Sequence, residues 1–203
     1  MSFIKLLQTS PNTNSKNILV SAGFGKEAEQ HVRKTFEPFD AQQSGLLDVK
    51  FNIIYVLYDP EVKRIQDDAV NRNNRPREYE FYKSLGCMIG DALVEQKIDN
   101  VHIIAKSAGA AVLSYLPLSI KVSSISLLAP APILVDTFGV PCRSMPLLLG
   151  WAKGDKKIPY EPFHTVVLGF LSAHGYTVEE FAIDAATHDF TPMFIERAIS
   201  RVV

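Results

Sequence analysis

Short, nearly continuous apolar runs alternate along the chain with longer segments in which apolar residues recur every three or four positions. The runs are typical of buried strands, and the longer spacing is typical of helices. The predicted strands are 17–21, 51–58, 101–105, 123–128, 145–151 and 176–183. The predicted helices are 26–36, 78–97, 108–116, 161–173 and 190–202.

This alternation of strands and helices predicts an α/β fold. Because the strands are apolar throughout, we expect a mostly parallel, doubly wound sheet covered by helices on both faces. Ligands of such sheets bind outside the carboxyl ends of the strands, where the loops that follow each strand meet. Four loops are expected there: Ala22–Gly25, Lys106–Gly109, Lys153–Ile158 and Ala185–Asp189.

The longest excursion from this pattern is Asp59–Glu78, which carries many charges of both signs. Its high charge and its Asn and Arg content predict a solvated surface loop. A mobile flap over the site and a surface for a partner are the alternatives.

Composition narrows the class of protein. The 203 residues are expected to form one domain, 1–203. A net charge of −1 excludes a strong non-specific binder of nucleic acid or another polyanion. Met1–Gln8 is interrupted by Lys5 and lacks the apolar core of a secretory signal, and no apolar stretch is long enough for a membrane span. We therefore expect a cytoplasmic protein with Cys87 and Cys142 as free thiols, a disulfide between them being the alternative.

Serine chemistry is indicated where the strand 101–105 meets the following helix. Ser107 stands at this corner between small residues, Ala105, Ala108 and Gly109, which relieve crowding between strand and helix. The amino terminus of the helix presents N–H groups toward an anion that forms at the corner. A small-residue turn of any doubly wound protein is the simpler alternative.

This corner resembles the nucleophile elbow of the α/β-hydrolase superfamily, Gly-x-Ser-x-Gly between a strand and a helix. Ser107 and Gly109 match the motif, and Ala105 replaces its first glycine. Within the superfamily, the chain is most similar to small esterases and thioesterases without a cap domain, of the dienelactone-hydrolase or carboxylesterase type. The segment between 129 and 145 is too short for a cap.

The resemblance also implies the partners of the serine, in the chain order nucleophile, acid, histidine. The segment from Ala152 to Pro159 is similar to the family's acid loop and supplies Asp155. The loop before the last helix supplies His188. Ser107, Asp155 and His188 are therefore the predicted catalytic triad, with Asp184 and Asp136 as fallback acids.

An oxyanion hole is implied by the same resemblance. The amide of Ala108, which follows the nucleophile, is the first expected donor. Residues 22–25 are similar to the family's His-Gly-x-Gly loop with Ala22 in place of the histidine, so the amide of Phe24 is the second, with that of Gly23 as the alternative. Gly-x-Gly also begins dinucleotide sites, but Ala28 stands where their third glycine would be.

The resemblance therefore implies a serine hydrolase that cleaves small or exposed carboxylic esters or thioesters and takes a small acyl compound as its substrate. No cofactor is expected, and no spacing of residues suggests a metal site. A peptidase, an acyltransferase and a non-catalytic binding protein of the same fold remain alternatives, and the oligomeric state stays open. Lysines near the site suggest either acidic substrates or a solvated rim: Lys106, Lys153, Lys156 and Lys157.

Overall fold

The structure is a computed structural model that describes residues 3–9, 15–41, 51–131 and 146–202. Among these residues, seven strands form one sheet. They are β1 (Ile4–Gln8), β2 (Lys16–Ser21), β3 (Phe51–Tyr58), β4 (Asn100–Ser107), β5 (Lys121–Pro130), β6 (Pro146–Ala152) and β7 (Thr177–Ile183).

The strands lie in the order β1-β3-β2-β4-β5-β6-β7. All neighbours from β3 to β7 are parallel, and only β1 pairs antiparallel, at the edge beside β3. The predicted mostly parallel sheet is thus confirmed. The edge strand β1 was not among the predicted elements.

The described helices connect these strands and cover the sheet. They are α1 (Lys26–Ala41), α2 (Pro60–Asn71), α3 (Arg75–Glu95), α4 (Ala108–Leu113), α5 (Tyr160–Ala173) and α6 (Pro192–Ser200). The predicted helices lie within a few residues of these bounds. No described helix combines the length and the apolar character that crossing a membrane requires.

A hydrophobic core lies on each face of the sheet. On one face, α2, α3, α4 and α5 pack against the strands through side chains such as Val62, Leu85 and Val167. On the other face, α1 and α6 contribute Phe36 and Phe194. Burial of such apolar side chains on both faces explains why the strands are apolar along their whole length.

The prediction of a surface loop over Asp59–Glu78 is wrong, because most of this segment is helical. The Asp59 carboxylate accepts a hydrogen bond from the Glu61 amide at 2.8 Å and caps α2, and Asn74 caps α3 in the same way. Only Val62 and Ala69 of α2 are buried, so few apolar positions mark the helix in the sequence.

Three features of the sequence analysis fall within residues 132–145, outside the described residues. They are the fallback acid Asp136, Cys142 and most of the segment expected to be too short for a cap.

Candidate active site

Ser107 is the last residue of β4, and α4 begins at the next residue. Its backbone has φ 54° and ψ −132°, in a region that residues with a β-carbon rarely adopt. This conformation turns the chain sharply from strand to helix. A sharp and strained backbone turn is therefore present where the elbow was predicted.

Gly109 explains how α4 can begin so close to the sheet. A β-carbon at this position would lie 2.7 Å from the carbonyl oxygen of Ser21 on β2 and would also overlap the Ser21 hydroxyl. Only glycine leaves room for this approach. Ala105, in contrast, is fully buried and its methyl group is accommodated.

Asp155 and His188 are in direct contact. The Nδ1 atom of His188 lies 2.6 Å from Oδ2 of Asp155, whose side chain is fully buried. The other oxygen, Oδ1, accepts hydrogen bonds from the amides of Lys157 (2.8 Å) and Ile158 (3.0 Å). The carboxylate is therefore fixed, and it orients the imidazole with Nδ1 toward the acid and Nε2 away from it.

Backbone hydrogen bonds hold the loops that bear these two residues together. The amide of Lys153 donates to the Ile183 carbonyl at 3.0 Å, and that of Gly154 donates to the Ala185 carbonyl at 2.9 Å. The loops follow β6 and β7, which are neighbours in the sheet. The parallel arrangement thus places the acid beside the histidine.

The loop after β2 lies against the elbow. A β-carbon on Gly23 would lie 3.8 Å from the amide nitrogen of Ala108, and Gly23 itself has φ 94°. The next residue, Phe24, packs edge-on against Tyr58, with ring centroids 4.8 Å apart, and against Tyr82 at 5.9 Å. These contacts anchor the loop whose amide was predicted as an oxyanion donor.

One cavity of about 930 Å³ brings the predicted residues together. Ser107 and His188 line it with both predicted oxyanion residues, Phe24 and Ala108. Asp155 lies buried behind His188. Among the described residues, none forms a hydrogen bond with the Ser107 hydroxyl, although catalytic hydrogen bonds in free enzymes often tighten only when substrate is bound.

The surroundings of His188 favour its neutral form. Burial lowers the pKa of His188, and this outweighs the hydrogen bond and the charge of Asp155, which raise it. The positive charges of Lys106 and Lys157 lower the pKa further. A neutral imidazole that is oriented by a carboxylate can accept a proton from a hydroxyl group.

The lysines predicted near the pocket edge differ in their surroundings. Lys106 is buried and its Nζ lies 2.8 Å from Oδ1 of Asp189, so it is not a solvated rim residue. Exposed Lys157 lines the cavity. Exposed Lys153 pairs instead with Asp184 at 3.0 Å.

One wall of the cavity, formed by α2, was not predicted from the sequence. Helix α2 contributes four lining residues, Lys63, Gln66, Asp67 and Val70. They were missed because this segment was predicted to be a loop. The dipeptide Asp59-Pro60, an amino-terminal cap followed by a proline in the first turn, is the signal that indicates the helix.

The remaining histidines have other partners. His102 contacts Ser124 through Nδ1 at 2.8 Å, and His164 contacts Glu180 at 2.9 Å. His31 lines the cavity on α1, with Nε2 3.1 Å from the Phe190 carbonyl oxygen. Within the described ranges, no group of three or more metal-ligating side chains is found.

Comparison with known proteins gives matches of structure only. No family model matches the chain, and no curated protein sequence matches it. Among solved structures, SOBER1 of Arabidopsis thaliana is 16% identical with a TM-score of 0.55, and the match covers 93% of this chain and 97% of that one. An alpha-beta serine hydrolase homologue from Coxiella burnetii is 17% identical with a TM-score of 0.58, covering 98% and 90%.

A third similar structure is esterase 2 of Thermogutta terrifontis. It is 12% identical, with a TM-score of 0.58, and the match covers 97% of this chain and 84% of the esterase. These matches span nearly the whole of this chain and most of each similar structure. The chain therefore has the α/β-hydrolase fold.

Proposed function

We propose that the protein is a serine hydrolase that cleaves carboxylic esters or thioesters of small or exposed acyl groups. The observation that carries the proposal is the 2.6 Å contact between Asp155 and His188 in the cavity that Ser107 also lines. Acyl transfer needs a nucleophile, a base that takes its proton and a buried acid that orients the base.

In the first step, Ser107 Oγ forms a bond to the carbonyl carbon of the substrate. Nε2 of His188 takes the hydroxyl proton, and Asp155 keeps Nδ1 protonated and stabilises the imidazolium. The carbon–oxygen or carbon–sulfur bond then breaks. The leaving group receives the proton from His188, and the acyl group stays on Ser107.

In the second step, water attacks the acyl group. His188 accepts a proton from the water and returns it to the Ser107 oxygen as the carboxylic acid leaves. Neither step consumes an oxidant or a reductant, and no group other than these side chains moves a proton.

The negative charge that develops on the carbonyl oxygen needs fixed donors. The amides of Ala108 and Phe24 are proposed for this role, because both residues line the cavity and their loops lie against each other. A single donor of this kind lowers a barrier by about 3–4 kcal/mol in a measured protease. Packing of Phe24 on two tyrosines holds its amide in place before the substrate arrives.

The cavity walls are mixed in character. Two ion pairs of the lining cancel their own charges, Lys63 with Asp67 and Lys106 with Asp189. The other lysine and carboxylate side chains of the lining are Lys26, Lys157 and Glu27. Apolar contact is offered by Phe24, Ala28, Val70 and Ile158. The apolar residues support a substrate with an apolar acyl group, and the two remaining lysines against one glutamate leave the lining weakly positive.

Hydrolysis of a panel of p-nitrophenyl esters and of acyl thioesters tests the proposal. We expect turnover by the wild-type protein, greatest for short acyl chains, and a loss of about 10⁴-fold or more in the Ser107→Ala variant. The Ser172→Ala variant, which changes an exposed serine on α5, is the matched control and should retain full activity. A folded wild-type protein that hydrolyses none of these compounds would refute the proposal.

A further inference from the structure

A buried lysine stands directly before the proposed nucleophile and has no role in the steps above. Lys106 is only 3% exposed, and its Nζ lies 2.8 Å from Oδ1 of Asp189. Lysine is rarely buried, since removing its charge from water is costly unless a partner compensates for it. Asp189 is the partner that compensates for the desolvation of Lys106.

The two members of this pair are the chain neighbours of the two proposed reacting residues. Lys106 precedes Ser107, and Asp189 follows His188, although the pair is separated by 83 positions in the chain. The ion pair therefore joins the end of β4 to the loop after β7. It links the segment that bears the proposed nucleophile to the segment that bears the proposed base.

Further contacts fix the Asp189 end of the pair. The amide of Asp189 donates to the Thr187 hydroxyl at 3.0 Å, which closes a tight turn around His188. The Phe190 ring lies under the Lys106 ammonium, 5.8 Å from its centroid. His31 on α1 contacts the Phe190 carbonyl oxygen at 3.1 Å.

We propose that the Lys106–Asp189 ion pair is a positioning device that holds the loop of His188 in register with the nucleophile elbow. It acts through its neighbours and does not touch the substrate's reacting atoms. The inference rests on the proposed function, because it assigns the pair a part in the proton transfer between Ser107 and His188.

The charges around the pair determine what its removal does. His188 faces the negative charge of Asp155 and the positive charges of Lys106 and Lys157. The charges of Asp189, Lys157 and Asp155 act on Lys106. Those of Lys106, His31 and Lys157 act on Asp189. Burial lowers the pKa of Lys106, and the hydrogen bond to Lys106 holds the pKa of Asp189 below its ordinary value against the effect of its own burial.

Two consequences follow for the catalytic steps. Without the pair, the His188 loop is no longer tied to β4, so we expect proton transfer to slow more than substrate binding weakens, although Lys106 and Asp189 both line the cavity. Without the Lys106 charge, the pKa of His188 rises, because one of the positive charges that disfavour its protonation is gone. A residue that only stabilised the fold would lower the unfolding temperature and change neither kcat nor the pH profile of the folded protein.

The test measures kcat and KM against pH for the wild type and for Lys106→Met, Asp189→Asn and Asp189→Glu, with the best ester of the panel. We expect Lys106→Met and Asp189→Asn to lose about 10- to 100-fold in kcat, with a smaller change in KM. The acidic limb of the Lys106→Met profile should move to higher pH. Asp189→Glu, which keeps the ion pair at a partly exposed position, should recover most of the activity.

Lys153→Met is the matched control, because it breaks the exposed Lys153–Asp184 pair beside the same loops and Lys153 does not line the cavity. It should behave as the wild type. If Lys106→Met fails to fold, the kcat values of Asp189→Asn and Asp189→Glu test the proposal, which predicts a loss in the first and near wild-type activity in the second.

Unchanged kcat and an unchanged acidic limb in folded Asp189→Asn and Lys106→Met would overturn the inference while leaving the hydrolase proposal intact. Equal losses in Asp189→Asn and Asp189→Glu would also overturn it, because a retained ion pair would then be of no benefit. A wild-type protein without activity toward any ester or thioester would instead overturn both.

Discussion

The imidazole of His188 and the carboxylate of Asp155 are joined by a 2.6 Å contact between Nδ1 and Oδ2, and the carboxylate is closed off from solvent. The other carboxylate oxygen is held by two amides of its own loop. With both of its oxygens occupied, Asp155 has a single orientation. It can therefore serve as the acid that selects the tautomer of the proposed base.

Replacement of this acid should slow catalysis without disturbing the fold. In Asp155→Asn we expect a loss of about 10⁴-fold in kcat, as for the corresponding change in a serine protease, because the amide no longer enforces the required tautomer. Asp184→Asn is the control, since Asp184 is exposed and pairs with Lys153. If Asp184→Asn abolished turnover while Asp155→Asn retained it, the acid would be misassigned.

The pH dependence should reflect the lowered pKa of His188. Only the neutral imidazole accepts a proton from Ser107, so kcat/KM should fall as the pH decreases through this pKa. Because burial holds the pKa of His188 below its ordinary value of about 6.5, the acidic midpoint should lie below that pH. Circular dichroism at each pH separates titration from acid unfolding. A midpoint clearly above pH 7 (roughly half a unit over the ordinary histidine value) in the folded protein would contradict the account.

The close approach at the elbow gives a prediction about stability. In Gly109→Ala, the new methyl group overlaps Ser21, and overpacking of this kind costs about 1–3 kcal/mol in free energy of unfolding. We also expect hydrolysis to fall, because α4 and the Ala108 amide must shift. Denaturant titration and ester turnover provide the two readouts.

Gly169→Ala is the matched control for this change. Gly169 is exposed within α5, and a β-carbon there meets no atom within 4 Å. Alanine in a helix is more stable than glycine by up to about 1 kcal/mol, so this variant should be as stable as the wild type or more so. A Gly109→Ala variant that is as stable and as active as Gly169→Ala would show that the elbow does not need its glycine.

Much of the fold could be predicted from the sequence because it depends on local patterns. The apolar runs indicated β2 to β7, and the strand-to-helix junction at Ser107 located the elbow. The contact between Asp155 and His188 follows from the parallel sheet, since the carboxyl ends of β6 and β7 lie side by side. The triad, in contrast, rested on resemblance to a family, and the roles of its members stay predictions.

Other features depend on contacts that no local pattern reports. Helix α2 buries only Val62 and Ala69, and two apolar positions are too few to produce a helical period in the sequence. Lys106 looked like one of several charged residues at the pocket edge. Its partner, Asp189, lies far along the chain, and only the assembled sheet brings the two together.

The proposed role of Ser107 as nucleophile is tested most directly by reaction with a fluorophosphonate, which labels activated serines covalently. We predict that the wild-type protein gains one label, that peptide mass spectrometry places it on Ser107, and that Ser107→Ala gains none. Ser124, which contacts His102, is another serine beside a histidine and should stay unlabelled. Absence of labelling in the folded wild-type protein, or a label on Ser124 with Ser107 unmodified, would contradict the account.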